Sequence, residues 1–242
     1  MGGTFKQFWP HIVCAAIALG LWDTPAVKPF RVYMVMIHEM GHAGATVLTG
    51  GEVLEMRTNW NESGHTTSRG GSFTLISSAG YVGSAFLGAF VIYAGNWALL
   101  QRILLAGIGG LSLGMTVLYT PAVGVDFVFG VLSGGLLLVV AGRFPRIAEV
   151  AATWIGVMLC LYSLHDFRTD LWMYPEKTDA GILARHWGLP VLAYPIAFSW
   201  AAVSIAAMYL AMRAVERRGR RLEAQAARTD AVEQREGFDP GS

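Results

Sequence analysis

Residues 30–48 read FRVYMVMIHEMGHAGATVL, an apolar run that holds three ionisable side chains within five positions. A helix needs roughly 20 residues to cross about 30 Å of hydrocarbon, and this run nearly reaches that length. His38, Glu39 and His42 form the pattern H-E-x-x-H inside it. Because one charge at the centre of a membrane helix costs roughly 2.5–3.5 kcal/mol to insert, this cluster indicates a functional site within the run.

The rest of the chain is also rich in long apolar runs. Of the 242 residues, 54% are apolar and 14% are charged, whereas about a quarter of the residues are charged in soluble domains. These features predict an all-α polytopic membrane protein with about six to seven transmembrane helices. The number depends on whether the short first run, residues 8–22, crosses the membrane. The further runs cover residues 8–22, 74–95, 98–119, 124–141, 147–165 and 189–212.

Residues 52–73 interrupt this apolar pattern. Asn61-Glu62-Ser63-Gly64 has the composition of a turn, so we predict a β-hairpin between two membrane helices. The chain is expected to form a membrane-embedded domain over 1–212 and a charged, partly disordered tail over 213–242.

The charges and cysteines exclude some classes of function. The formal net charge is +1 and the basic residues are not spread over one face, so no nucleic-acid partner is expected. Arginines are concentrated beyond Met212, a position typical of a cytoplasmic helix end, with contact to anionic lipid as the rarer alternative. Among them are Arg213, Arg217, Arg218, Arg220, Arg221 and Arg228. Cys14 and Cys160 lie far apart in apolar runs and indicate no redox or metal pair.

The H-E-x-x-H motif has the spacing of a metal site. Positions i and i+4 lie on one face of a helix, about one turn apart. The imidazoles of His38 and His42 can therefore bind one zinc ion per chain, while Glu39 can accept a proton from metal-bound water. The alternative, histidines that serve only as hydrogen-bond partners between helices, does not explain the glutamate.

A catalytic zinc needs a third protein ligand. Asp166 lies closest to the end of an apolar run and is the preferred candidate, and Asp170 would share its helical face. The more usual role of Asp170 is that of a surface carboxylate near Arg168. The side chain of His165 points about 100° away from that of Asp166 around the helix, so we interpret it as a neighbour of the site and not as a ligand. Asp126, at a possible helix start, is a weaker candidate for the third ligand.

With these residues the chain resembles the M50 family of intramembrane zinc metallopeptidases, the site-2 protease class, and most closely its M50B-like branch. The resemblance covers about 25–215 and implies two zinc-binding histidines, an aspartate ligand and a glutamate base. It places these roles on His38, His42, Asp166 and Glu39, although Phe167 follows Asp166 where site-2 proteases have an Asn-Pro-Asp-Gly pattern. The stretches that carry it are His38 to Ala43, Thr66 to Gly71, Ser78 to Ser84, Tyr162 to Asp166 with Asp170-Leu171, and Thr178 to Ala180.

Two functional hypotheses follow. The first is an intramembrane endopeptidase of a bacterial cell membrane that hydrolyses membrane-embedded or membrane-proximal substrates, with zinc-bound water activated by Glu39. The second is a non-catalytic, metal-stabilised membrane scaffold, or a pseudoprotease that holds client helices. The complete set of ligands and base favours the first hypothesis, because a scaffold does not need Glu39. The expected partners are a peptide or membrane-protein substrate and the lipid bilayer.

Overall fold

The apolar runs form helices, as expected for chains in lipid, where each backbone polar group needs a partner within the protein. The computed structural model describes the backbone of residues 2–173 and 177–236, and the side chains of 8–165, 177–225 and 227–229. The helices are α1 (Gly2–Gly20), α2 (Lys28–Leu48), α3 (Phe73–Tyr93), α4 (Ala98–Tyr119), α5 (Val125–Arg143), α6 (Pro145–Met173), α7 (Asp179–His186) and α8 (Ala193–Glu236), with short 3₁₀ turns at Ala94–Asn96 and Pro190–Leu192.

Five described segments are long and apolar enough to cross a membrane. They are Phe73–Asn96, Ala98–Tyr119, Val125–Arg143, Pro145–His165 and Pro190–Thr229. The segment Phe8–Gly20 of α1 is a shorter apolar helix, in agreement with the short first run. The prediction of an all-α polytopic membrane protein is therefore confirmed.

Helix α2, whose apolar run predicts a membrane span, is not among those five segments. It has 21 residues, but the histidines, the glutamate and two basic residues lower its hydropathy. Most of its residues are buried against the surrounding elements, and Tyr33 Oη lies 2.7 Å from Ser112 Oγ of α4. A helix enclosed by protein does not need a lipid-facing apolar surface, and α2 can therefore carry a polar site.

The predicted hairpin is confirmed within residues 52–73. Strands β1 (Glu52–Thr58) and β2 (Gly64–Arg69) pair antiparallel, with Thr58 opposite Gly64 and a bulge between Val53 and Glu55. Glu62 in the turn has a positive φ of 68°, and its carboxylate lies 3.0 Å from the Arg31 guanidinium at the start of α2. Arg57 of β1 pairs at 2.9 Å with Asp126 at the start of α5. These two ion pairs hold the hairpin against the helices.

Gly80, Ser84 and Gly88 recur every four residues in α3, and small residues at this spacing allow a neighbouring helix to approach closely. A Cβ at Gly88 would lie 2.9 Å from Leu159 Cβ of α6. Cys14 and Cys160 are free thiols. The division at residue 212 stays a prediction, although α8 continues without a break through that position to Glu236.

Candidate metal centre

The two motif histidines lie on one face of α2, as their spacing predicts. Their Nε2 atoms are 3.0 Å apart, and both side chains are largely shielded from solvent, with 14% and 8% of their surface exposed. His42 Nδ1 lies 2.7 Å from the carbonyl oxygen of Ile76 in α3. Because a carbonyl can only accept, Nδ1 donates this hydrogen bond, and Nε2 of the neutral ring keeps a free lone pair. This tautomer is the one needed for metal binding through Nε2.

The third member of the cluster is Asp179, at the first position of α7. Its Oδ2 atom lies 3.0 Å from His38 Nε2 and 3.2 Å from His42 Nε2. Thr178 caps the helix, since its hydroxyl accepts a hydrogen bond from the Gly181 amide at 3.0 Å. The cap places Asp179 at the positive end of the short helix, which favours an ionised carboxylate.

The charge state of Asp179 suits a ligand. Burial by itself raises the pKa of this carboxyl, but His42 and His38 in their protonated form, before a metal takes the place of their protons, outweigh that effect through charge and hydrogen bonds and hold the pKa far below its usual range. The side chain is therefore an anion that faces two imidazole nitrogens.

Three donor atoms converge in a geometry that fits one divalent ion. Ligand atoms that share an ion at about 2 Å each lie about 3–4 Å apart, and the observed separations are 3.0, 3.0 and 3.2 Å. Among the described side chains, His38, His42 and Asp179 are the group of three metal-ligating residues that meets this spacing. A mixed set of two nitrogens and one carboxylate is typical of catalytic zinc.

Glu39 lies beside this cluster and is only 5% exposed. Its Oε2 atom accepts a hydrogen bond from the hydroxyl of Thr66 in β2 at 2.8 Å. A Cβ at Gly64 would come within 2.6 Å of Glu39 Oε1, so the hairpin backbone passes directly over the carboxylate. The hairpin thus forms one wall of the site.

The other residues considered as the third metal ligand lie either outside the described side chains or away from the histidines. The side chains of Asp166 and Asp170 lie outside the described residues, so the prediction of Asp166 as a ligand stays a prediction. Asp126 pairs with Arg57 and is not part of the cluster. His165, whose ring centroid lies 5.0 Å from that of Trp22, is also outside it.

No role for Asp179 follows from the sequence alone. The dipeptide Thr178-Asp179 carries the signal of a helix start, a capping residue followed by an acidic one. It also lies in one of the stretches that resemble the M50B-like branch. A carboxylate 141 positions from His38 cannot be assigned to the same site by local spacing alone.

Gly80 of α3 provides the space for the cluster. A Cβ at this position would lie 2.5 Å from His42 Nε2 and closer still to His38 Nε2. Gly80→Ala is expected to weaken metal binding by about 10- to 100-fold, since overpacking typically costs roughly 1–3 kcal/mol. Competition with a chromophoric zinc chelator measures this effect in purified protein.

Gly83→Ala is the matched control, because a Cβ there has nothing within 4 Å. It lies in the same helix and should bind metal like the wild type. Equal affinity in the two variants would contradict the steric role of Gly80.

The fold and the site together define a polytopic membrane protein with a candidate divalent-metal centre beside a buried carboxylate. The family model described as Peptidase M50B-like matches residues 11–211. The chain therefore belongs to the M50B-like branch of the M50 membrane metallopeptidases. Comparison with curated proteins and with solved structures gave no match.

Proposed function

We propose that the chain is an intramembrane zinc metalloendopeptidase of a cell membrane, with His38, His42 and Asp179 as ligands of one zinc ion. The observation that carries the proposal is the convergence of His38 Nε2, His42 Nε2 and Asp179 Oδ2 within 3.2 Å of one another. Membership of a metallopeptidase family and the adjacent Glu39 carboxylate support the same function. The substrates would be membrane-embedded or membrane-proximal peptide segments.

The metal would supply a Lewis acid that polarises the scissile carbonyl and acidifies water. Glu39 is the group that receives the proton from the attacking water and returns it to the leaving amine. Thr66 is a positioning residue in this mechanism, because its hydrogen bond to Oε2 directs the carboxylate and leaves Oε1 for the proton. The hydrogen bond of His42 to Ile76 likewise orients the imidazole.

A cavity of about 310 Å³ adjoins these residues and could admit water and an extended peptide segment. His38, Glu39 and Asp179 line it together with residues of the hairpin and of the segment before α7, among them Gly64 at the start of β2 and Lys177. A helical substrate has to unwind first, because its carbonyls are otherwise bonded internally. Strand β2 passes Glu39 through Gly64 and Thr66, so an unwound segment added along this strand would lie near the base.

The test is metal-dependent cleavage by the purified full-length protein. We expect about one zinc per chain by elemental analysis and cleavage of a diverse peptide library detected by mass spectrometry. Removal of the metal by a chelator should abolish cleavage, and Zn²⁺ should restore it. Mg²⁺ should not, because it prefers oxygen ligands and octahedral geometry.

The possible failures have different meanings. A chain without stoichiometric metal, and with unchanged thermal stability when zinc is added, would overturn the metal site and the hydrolase together. A chain that binds zinc but cleaves no peptide in the library or in bilayer-reconstituted segments would instead be the metal-stabilised scaffold.

A further inference from the structure

A second polar cavity lies away from the metal centre, between α8 and the junction of α3 with α4. Its volume is about 590 Å³. No aspartate or glutamate is among its lining side chains, which include Arg213, Arg217, Arg218, Arg221, Tyr93 and Trp97.

The four arginines form one cationic surface because of their helical spacing. Arg213, Arg217 and Arg221 recur every four residues and share a face of α8. The Arg218 guanidinium carbon lies 3.7 Å from the centroid of the Trp97 ring, and its buried Nε has no hydrogen-bond partner. Among the described side chains, none of the four forms an ion pair, whereas the neighbouring Arg220 pairs with Glu216 at 3.3 Å.

The position of the cavity indicates the kind of anion that it fits. Tyr93 is the last residue of α3 and Trp97 directly precedes α4, so the cavity lies where two apolar helices end. Aromatic side chains at such helix ends are typical of the level of the lipid headgroups. The apolar Leu210, three residues before Arg213 on the side of the apolar run, also lines the cavity and can contact an acyl chain, a contact that a free phosphate ion would not make.

We propose that this arginine cavity binds the phosphate group of an anionic phospholipid. Guanidinium groups bind phosphate oxygens in a bidentate manner, and four of them on one surface offer more donors than a single phosphodiester needs. The lipid anion would compensate the repulsion among the four cations. Bound in this way, the lipid would hold α8 against the ends of α3 and α4.

The test compares two variants with the same loss of charge. Arg217→Gln/Arg221→Gln removes two cavity arginines, and Arg220→Gln/Arg228→Gln removes two arginines of the same helix that do not line the cavity. Native mass spectrometry of the detergent-purified full chain measures the binding of phosphatidylglycerol, with phosphatidylcholine as the zwitterionic comparison. Circular dichroism and the elution volume check the fold of both variants.

The wild type is expected to prefer phosphatidylglycerol, and the cavity variant to bind it about 10- to 30-fold more weakly. The control variant should keep most of the wild-type affinity. Equal losses in the two variants would reduce the effect to bulk charge, and equal affinity of the wild type for both lipids would also overturn the proposal. Displacement of the lipid by equimolar inorganic phosphate would overturn the assignment to a lipid.

Discussion

Asp179→Ala is expected to remove the zinc from the purified chain, whereas Asp166→Ala is expected to leave it bound. The Asp179 carboxylate is the anionic member of the cluster and lies within 3.2 Å of both histidine nitrogens. Loss of a group that only orients a ligand already lowers metal affinity by about 10- to 100-fold. Loss of a ligand itself should therefore exceed about 100-fold and reduce the zinc content after gel filtration to near zero.

Three controls make this experiment decisive. Asp170→Ala addresses the other carboxylate that the sequence leaves open, and it should retain zinc. Asp179→Asn keeps the shape of the side chain but not its charge, and it should lie between Asp179→Ala and the wild type. Thermal unfolding of the metal-free proteins checks that each variant folds. Retention of stoichiometric zinc by Asp179→Ala together with its loss in Asp166→Ala would return the ligand role to Asp166.

Glu39→Gln is expected to slow peptide cleavage by about 10²- to 10⁴-fold, the usual contribution of a general acid–base group. Zinc content should not change, because Glu39 is not one of the three converging donors. The amide has nearly the same shape but cannot take a proton from water. The measurement is the rate of cleavage of the best library peptide at saturating zinc. Wild-type activity in this variant would remove the proposed proton acceptor.

The same assay tests the hydrogen bond that orients this base. Thr66→Val should lower kcat by about 10-fold with unchanged KM and zinc content, since a net hydrogen bond to a charged group is worth roughly 1.5–3 kcal/mol. Thr66→Ser should rescue the rate because it keeps the hydroxyl. Thr67→Val, at the exposed neighbouring position of β2, is the control. A change in KM alone, or failure of the serine variant, would argue against the positioning role of Thr66.

Much of the fold follows from patterns that are local in the chain. The apolar runs mark membrane helices because run length alone decides whether a helix can cross a bilayer. The turn at 61–64 predicts the hairpin, since it lies between two short polar segments that can pair. His38 and His42 share a face because four residues make about one helical turn. None of these inferences needs a contact between distant elements.

The position of Asp179 beside the two histidines, in contrast, does not follow from any local pattern. Asp166 is close to an apolar run and Asp179 is not, so sequence position favours the former. The packing of α7 against α3 and the cap at Thr178 instead bring Asp179 to the histidines. Asp126 is likewise paired only because β1 carries Arg57 to the start of α5.

The sequence alone determined that this chain lies in a membrane and that two imidazoles and a carboxylate lie within one helical stretch. Only the tertiary structure decided that Asp179 lies against both rings, that Thr66 contacts Glu39 and that Gly80 leaves room for the imidazoles. The physical reason is the separation of the residues along the chain, because helical periodicity relates only residues that are a few positions apart. Contacts between residues 27 to 141 positions apart depend on how complete helices and the hairpin pack.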